Sequence, residues 1–141
     1  MKRFAAIALL SFVSLISTTA VVSAQTALPQ SDRNGDYSGR TSHRNWVVVD
    51  ADASGLNCRW SSQMPRDWFA PDVRLPALNV VNWGVVRQFR TGTILTSNTT
   101  PAGFATLTDS RGLPWLKVSI GRNEQICLVR ANRQFIRPVG E

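Results

Sequence analysis

Histidine, cysteine and lysine are scarce in this chain of 141 residues. It contains one histidine, His43, two cysteines and two lysines, Lys2 and Lys117. A zinc site or a hydrolase triad needs several imidazoles, thiolates or carboxylates at workable spacings, and no glycine-rich phosphate loop is visible. Asp50 and Asp52 flank a predicted strand end, where paired aspartates usually form turns. The sequence therefore predicts no metal site, no cofactor and no enzymatic activity.

Long apolar runs are absent after the first segment of the chain. Residues 1–24 begin with Met-Lys-Arg, continue as an apolar run without charge and end in Val-Ser-Ala. This pattern is typical of a secretory signal peptide cleaved before Gln25. A transmembrane anchor is the alternative, but serine and threonine interrupt the run too often for a comfortable span. We expect a secreted or periplasmic protein without a transmembrane segment after cleavage.

The remaining charge is basic and consists almost entirely of arginine. The 16 basic residues include Lys2 and Arg3, so cleavage leaves 14 basic against 9 acidic side chains, a net charge of +5. An excess of this kind favours an anionic partner such as nucleic acid, a membrane surface or an acidic glycan. The arginines, however, occur singly and never in a run of three. Scattered arginine often reflects base composition, and we do not expect nucleic acid to be the main partner.

The two cysteines, Cys58 and Cys127, permit a single pairing, and export would place them where disulfides persist. Closing a loop of about 70 residues restricts the unfolded chain by ~4 kcal/mol on the entropy model. That is a large share of a domain stability on the order of 5–15 kcal/mol. The sequence predicts a structural disulfide rather than a reactive thiol.

Three regions are predicted: the signal peptide, a flexible polar segment over residues 25–44, and one domain over residues 45–141. Short β-branched or alternating runs recur in the domain at a spacing of roughly 8–12 residues, with turn residues between them, and no helical period survives. This pattern predicts an all-β fold, either a small barrel or a sandwich. The predicted strands lie near residues 46–49, 56–60, 85–89, 93–95, 104–108, 115–120, 126–129 and 135–139.

The clearest predicted element is a hairpin between Gly112 and Arg130. Leu116, Val118 and Ile120 alternate with Lys117 and Ser119, the period-2 pattern of a strand with one buried face. Gly121 to Glu124 provides turn chemistry, and Ile126 to Val129 is apolar on both faces. The final strand, with Pro138, is predicted to be an edge strand, because proline cannot donate to a ladder.

A long loop, Ser61 to Asn82, interrupts the strand pattern and contains three prolines. Loops of this length in a compact domain are uncommon and tend to be functional or disordered. Aromatic rings stack on sugars and bases, and guanidiniums bind carboxylates and phosphates. The candidate ligand-binding residues are Arg66, Trp68, Phe69 and Arg74.

The same loop could instead be a packed insertion, because something must hold a loop of this length against the domain. For Trp60 and Trp83, which flank it, inward packing is the favoured interpretation. For Trp68 and Phe69 the two interpretations are balanced. Trp115 is expected to pack against the domain.

Four short motifs occur in a familiar order. They are Leu56-Asn57-Cys58-Arg59, Val85 to Thr93, Trp115-Leu116-Lys117-Val118 and a last strand ending in Phe135 to Val139. Their order resembles that of the bacterial SH3-like domain, a small exported barrel of five to seven strands. The resemblance implies a small SH3-like barrel with a long inserted loop. It also implies binding rather than chemistry, commonly of cell-wall peptide or glycan.

Three functions remain open at this point. The first is a secreted, non-enzymatic binding module that contacts a component of the cell envelope through the Ser61–Asn82 loop. The second is an electrostatic binder of an anionic polymer, either nucleic acid or acidic glycan. The third is an accessory or inhibitory protein that presents the loop to another exported protein.

Overall fold

The computed structural model of the chain describes residues 27–62, 78–100, 103–121 and 125–140. The predicted signal peptide lies outside these ranges. Over the same ranges, no helix is both long enough and apolar enough to span a bilayer. The strands are β1 (Asn45–Val48), β2 (Leu56–Trp60), β3 (Gly84–Phe89), β4 (Ile94–Thr96), β5 (Thr106–Thr108), β6 (Pro114–Ile120), β7 (Gln125–Arg130) and β8 (Ile136–Pro138). A 3-10 turn, Val80–Asn82, precedes β3.

The strands form two antiparallel sheets, and the prediction of an all-β fold is confirmed. The larger sheet has the order β3-β2-β7-β6-β5, and the smaller has the order β4-β1-β8. An isolated bridge between Ser97 and Val118 joins β4 to β6. Within the described residues neither sheet closes on itself. As expected, β8 lies at an edge, with Pro138 opposite Trp46.

The main core lies between the two sheets. Trp46 and Val48 of β1 are fully buried and pack with apolar residues of the larger sheet, which include Leu116 and Val129. The predicted disulfide is confirmed: Cys58 of β2 and Cys127 of β7 are bonded, with their Cα atoms 5.5 Å apart. Because both cysteines belong to the core cluster, the crosslink joins two neighbouring strands where they are completely buried.

The predicted hairpin is also confirmed. β6 and β7 pair in one register from Trp115 opposite Arg130 to Ile120 opposite Gln125. The prediction of a single buried face is wrong for most of β6, because residues 114–118 are all buried. β6 has the main core on one face, while Trp115 on the other packs into a smaller cluster. A strand between two clusters needs no solvent-facing row, so the alternation in the sequence was misleading.

Lys117 is the unexpected member of the buried row, with 1% of its surface exposed. It lies opposite Leu128 of β7. Its Nζ donates to the carbonyl oxygen of Thr100 at 2.7 Å and lies 5.4 Å from the centre of the Phe104 ring. Burial lowers the pKa of Lys117 to about 8, because desolvation disfavours the charged amine. The carbonyl and the ring face compensate part of that cost.

Described residues of the N-terminal segment, which the sequence predicted to be flexible, make specific contacts. Asp32 Oδ1 accepts the backbone N–H groups of Asn34 and Asp36, which closes a tight turn. Asp36 then pairs with Asn132 and forms an ion pair with Arg130 at 2.7 Å. The polar composition concealed this packing, because the same side chains that suit a solvated arm also make specific hydrogen bonds to the β7–β8 connection.

Tyr37 continues the attachment of this segment to the domain. It is 5% exposed, and its ring meets the Trp46 ring edge-on at 5.0 Å. Its backbone N–H donates to the carbonyl oxygen of Ala131. One buried aromatic ring therefore adds the N-terminal segment to the main core.

Candidate binding surface

The candidate ligand-binding residues Arg66, Trp68, Phe69 and Arg74 all lie in residues 63–77, outside the described residues. The two ends of the loop that carries them are described: the loop departs from β2 after Trp60 and returns at Leu78. The structure therefore locates the base of the predicted binding loop, and the role of the four side chains stays a prediction.

The base of the loop is packed. The rings of Trp60 and Trp83 meet edge-on with centroids 6.1 Å apart, and Trp83 is buried. Both belong to a second apolar cluster that also contains Trp115. The inward packing that the sequence favoured for these three rings is confirmed. The remaining members of the cluster are Leu78, Val80, Leu107 and Leu128.

Polar contacts fix the returning end of the loop. Ser110 donates to the carbonyl oxygen of Leu78 through both its backbone N–H, at 2.7 Å, and its hydroxyl, at 2.6 Å. Arg59 Nη1 donates to the carbonyl oxygen of Trp83 at 2.8 Å. These bonds attach the loop to the β5–β6 turn on one side and to β2 on the other. The returning end of the loop is therefore held to the larger sheet at two points.

Asp109, which is 6% exposed, lies beside this cluster. Its Oδ1 accepts the backbone N–H groups of Arg111 and Leu113, and its Oδ2 accepts the Trp115 indole N–H at 2.9 Å. Three donors satisfy the carboxylate, which orients Trp115 and closes the turn before β6. Sequence reasoning missed this residue, although the spacing of Asp109 before Gly112 is a usual signal for an Asx turn.

The described aspartates beyond the second cluster also have structural partners. Asp52 Oδ1 accepts both the backbone N–H and the hydroxyl of Ser54, which lowers the pKa of that carboxyl. Asp50 Oδ1 accepts the backbone N–H of Asp52. This is the turn-forming arrangement expected for the pair. Among the described residues, no group of three or more histidines, cysteines or carboxylates is arranged to hold a metal ion.

The edge strand that follows the loop is exposed from Gly84 to Gln88. β3 is the last strand of the larger sheet and pairs, among the described strands, with β2. Val85 is 45% exposed and Val86 is 53% exposed. A register shift between Cys58 and Arg59 of β2 makes Val86 the extra residue of a bulge. We refer to Val85 and Val86 as the β3 surface.

The exposure of the apolar Val-Val pair in β3 is a finding that the sequence did not provide. A bulge changes the direction of side chains by one residue and leaves no reliable mark in the sequence. The β3 surface adjoins the returning end of the loop, since β3 starts directly after Trp83. The described returning end of the loop, from Leu78 to Asn82, and the exposed strand are thus continuous along the chain at this edge of the sheet.

Neither a family model nor a curated protein nor a solved structure matches the chain. The resemblance to the bacterial SH3-like domain therefore stays a prediction.

Proposed function

We propose that this protein is an exported binding module of SH3-like type that contacts a component of the cell envelope, such as cell-wall peptide or glycan. The contact region is the Ser61–Asn82 loop together with the β3 surface. In this proposal Trp68 and Phe69 stack on the ligand, and Arg66 or Arg74 binds its charged groups.

The exposure of β3 is the observation that carries the proposal. An edge strand with exposed valines is a liability that most proteins reduce with charges, proline or a covering segment. Here Val85 and Val86 are each about half exposed and lie directly after the loop. A partner that covers this region would bury apolar surface and would supply hydrogen bonds to the strand edge.

The roles of the described acid–base side chains also favour binding over chemistry. Asp109 and Asp52 hold turns, and Asp36 is paired with Arg130. The His43 ring shares a 2.8 Å hydrogen bond with the carbonyl oxygen of Asn45 and packs against Trp46. Each of these groups has a structural partner, and a general acid or base needs access to substrate.

A second candidate function is electrostatic binding of an anionic polymer such as an acidic glycan. Within the described ranges the one ion pair is between Arg130 and Asp36. Exposed arginines elsewhere in those ranges therefore have charge available for an anionic partner. They are Arg33, Arg40, Arg44, Arg87, Arg90, Arg111, Arg133 and Arg137.

Cosedimentation with purified insoluble cell wall, at low and at high salt, tests the two functions. Aromatic stacking should persist at high salt. Electrostatic binding should weaken steeply, because the release of counterions on binding is less favourable when the salt concentration in solution is high. A pull-down from an envelope fraction tests the third possible function, in which the partner is another exported protein. Absence of cosedimentation at both salt concentrations would contradict the envelope proposal.

Trp68→Ala tests the role of the loop directly. If Trp68 is a contact residue, its removal weakens binding by about 2 kcal/mol and leaves the melting temperature nearly unchanged. If the loop is a packed insertion, the same change opens a cavity and lowers the free energy of unfolding by roughly 3–5 kcal/mol. A thermal melt separates these outcomes before the ligand is known, and a large loss of stability would end the proposal for that residue.

A further inference from the structure

A small cleft lies within the N-terminal segment, and its lining comes from residues 27–41. Its volume is about 230 Å³, and its lining includes Gln30, Tyr37, Arg40 and Thr41. The volume is below the range of roughly 300–1,000 Å³ that is usual for drug-sized ligands. The cleft therefore suits a molecule no larger than one sugar ring or one or two amino acids.

The lining combines polar residues with Ala27 and Pro29, and its one charged residue is positive. Arg40 is exposed, and its guanidinium carbon lies 5.0 Å from the centre of the Phe104 ring. Stacking against a ring occupies a face of the guanidinium and leaves the in-plane N–H groups free for a ligand. No aspartate or glutamate is among the lining residues.

Two further arginines add positive potential at the Tyr37 end of the cleft. Burial raises the pKa of Tyr37, while the charges of Arg137 and Arg133 act in the opposite direction, which places both within electrostatic range of the phenol. The nearby carboxylate, Asp36, is occupied by Arg130 at 2.7 Å and by the Asn132 amide at 2.6 Å. The positive potential in the cleft is therefore not neutralised by that group.

We propose that this cleft binds the carboxylate of a small polar molecule, with the Arg40 guanidinium as the principal donor and Tyr37 and Thr41 as its neighbours. One guanidinium in the lining matches one carboxylate, because the planar fork of arginine forms two parallel hydrogen bonds to it. The carboxylate can come from an acidic sugar or from the end of a peptide.

The cleft is independent of the proposed envelope contact. It lies beside β5, at one edge of the larger sheet, whereas the β3 surface lies at the other edge. The position is fixed by backbone contacts, since Ala105 donates to the carbonyl oxygen of Thr41 at 2.7 Å and the Thr106 hydroxyl donates to that of Gly39 at 3.1 Å. Failure of one site therefore leaves the other untouched.

The test is a titration of isotopically labelled protein, purified after expression of the full chain, followed by amide chemical shifts. The probes are glucuronate, with glucose as its neutral match, and N-acetyl-dialanine, with its C-terminal amide as the match. We expect shifts at the Gly39 and Thr41 amides with at least one acid and with neither neutral compound. The acid that binds identifies the sugar or the peptide source. Shifts that are equal for acid and neutral match, or absent throughout, would overturn the proposal.

Arg40→Gln and Arg87→Gln form a matched pair. Arg87 also lies over a phenylalanine, 5.5 Å from the Phe89 ring centre, but at the far edge of the sheet. Loss of a charge-assisted pair should weaken acid binding about tenfold in Arg40→Gln. Arg87→Gln should leave it unchanged. Equal weakening in both would show diffuse charge attraction instead of a site.

Arg40→Lys keeps the proposal testable if Arg40→Gln does not fold. Lysine preserves the charge but loses the planar fork, so acid binding should fall by less than in a glutamine variant but should still fall. Unchanged affinity in Arg40→Lys would remove Arg40 as the principal donor.

Discussion

The two edges of the larger sheet differ in exposure: the β5 edge is covered and the β3 edge is exposed. At the β5 edge, the N-terminal segment covers the strand. The carbonyl oxygens of Thr41 and Gly39 accept hydrogen bonds from the Ala105 N–H and the Thr106 hydroxyl, and the Arg40 guanidinium lies over the Phe104 ring. At the β3 edge, the described residues on both sides of the bulge are exposed, including Val85 and Val86. Since unprotected edges promote unwanted pairing, the exposed edge is the one at which we propose that a partner binds.

Ordering the covering segment costs conformational entropy. The contacts that offset this cost are the ones that stabilise the covered edge. Fixing each residue of an extended segment opposes folding by roughly 1–2 kcal/mol of conformational entropy. The segment recovers this through the buried Tyr37 ring, the Asp36–Arg130 ion pair and the backbone bonds to Ala131 and Ala105. Within the described part of the chain, the outer edge of β3 is not covered by a comparable set of contacts.

The largest effect is expected from the disulfide, which joins β2, the neighbour of the open edge, to β7. The two cysteines are 69 residues apart in sequence. Cys127→Ser should lower the free energy of unfolding by about 4 kcal/mol, because the unfolded chain regains the entropy of that loop. Urea denaturation measures the loss, and the reduced parent protein serves as the control. A loss below about 1 kcal/mol would show that the crosslink adds little to the paired strands.

Removing the ring that attaches the covering segment should have the next largest effect. Tyr37→Ala should reduce stability by about 3 kcal/mol, because the ring is buried against Trp46. Tyr37→Phe, which keeps the ring, is the matched control and should remain close to the parent in a thermal melt. Equal stability of the alanine variant and the parent would mean that the β5 edge is covered only superficially.

A smaller effect, dependent on pH, is expected from Lys117 in the strand next to the covered edge. The folded protein holds Lys117 at a pKa of about 8, whereas the ordinary value is 10.5. Between these pH values the unfolded chain binds more protons, so stability should rise with pH, by about 2 kcal/mol from pH 8 to pH 10. Above pH 10 the raised pKa of Tyr37 acts oppositely, because the unfolded tyrosine loses its proton first.

Urea denaturation at several pH values measures this slope. Lys117→Met removes the titrating group and keeps an unbranched side chain, so its stability should change little over the same range. A parent protein whose stability is flat or falls between pH 8 and pH 10 would contradict the burial of a charged Lys117.

The sequence predicted the elements that depend on local pattern and on the count of cysteines. β2 was predicted with the bounds that the structure has, Leu56–Trp60, and the β6–β7 hairpin and the disulfide were predicted correctly. In each case the prediction depends on residues that are close in sequence, or on a cysteine count that allows one pairing. β-branched residues favour strands, glycine and asparagine favour the turn, and two cysteines can pair in one way.

The features that the sequence did not predict depend on contacts distant along the chain. Asp36 finds its partners at Arg130 and Asn132, and Tyr37 finds Trp46 and Ala131, so local composition could not reveal the covered edge. Lys117 looked exposed by alternation, because the Thr100 carbonyl and the Phe104 ring that cover it belong to another connection. The four predicted ligand-binding side chains lie outside the described residues.

The smallest change in stability is expected at the open edge. Val86→Thr replaces one methyl group by a hydroxyl at a side chain that is 53% exposed, in a bulge. The free energy of unfolding should change by less than about 0.5 kcal/mol, because the hydroxyl remains hydrated in the folded protein. Val48→Thr makes the same substitution in the main core, where Val48 is fully buried, and should cost about 1–3 kcal/mol by burying a hydroxyl.

The pair of threonine variants also tests the use of the open edge. Val86→Thr should weaken cosedimentation with cell wall although the fold is intact, because the partner would then have to desolvate a hydroxyl at the contact. Val48→Thr, assayed below its melting temperature, should bind like the parent protein. If Val86→Thr binds normally, the β3 surface is not part of the contact. If Val86→Thr instead destabilises as much as Val48→Thr, then this edge is covered in solution, and the contrast between the two edges of the sheet does not hold.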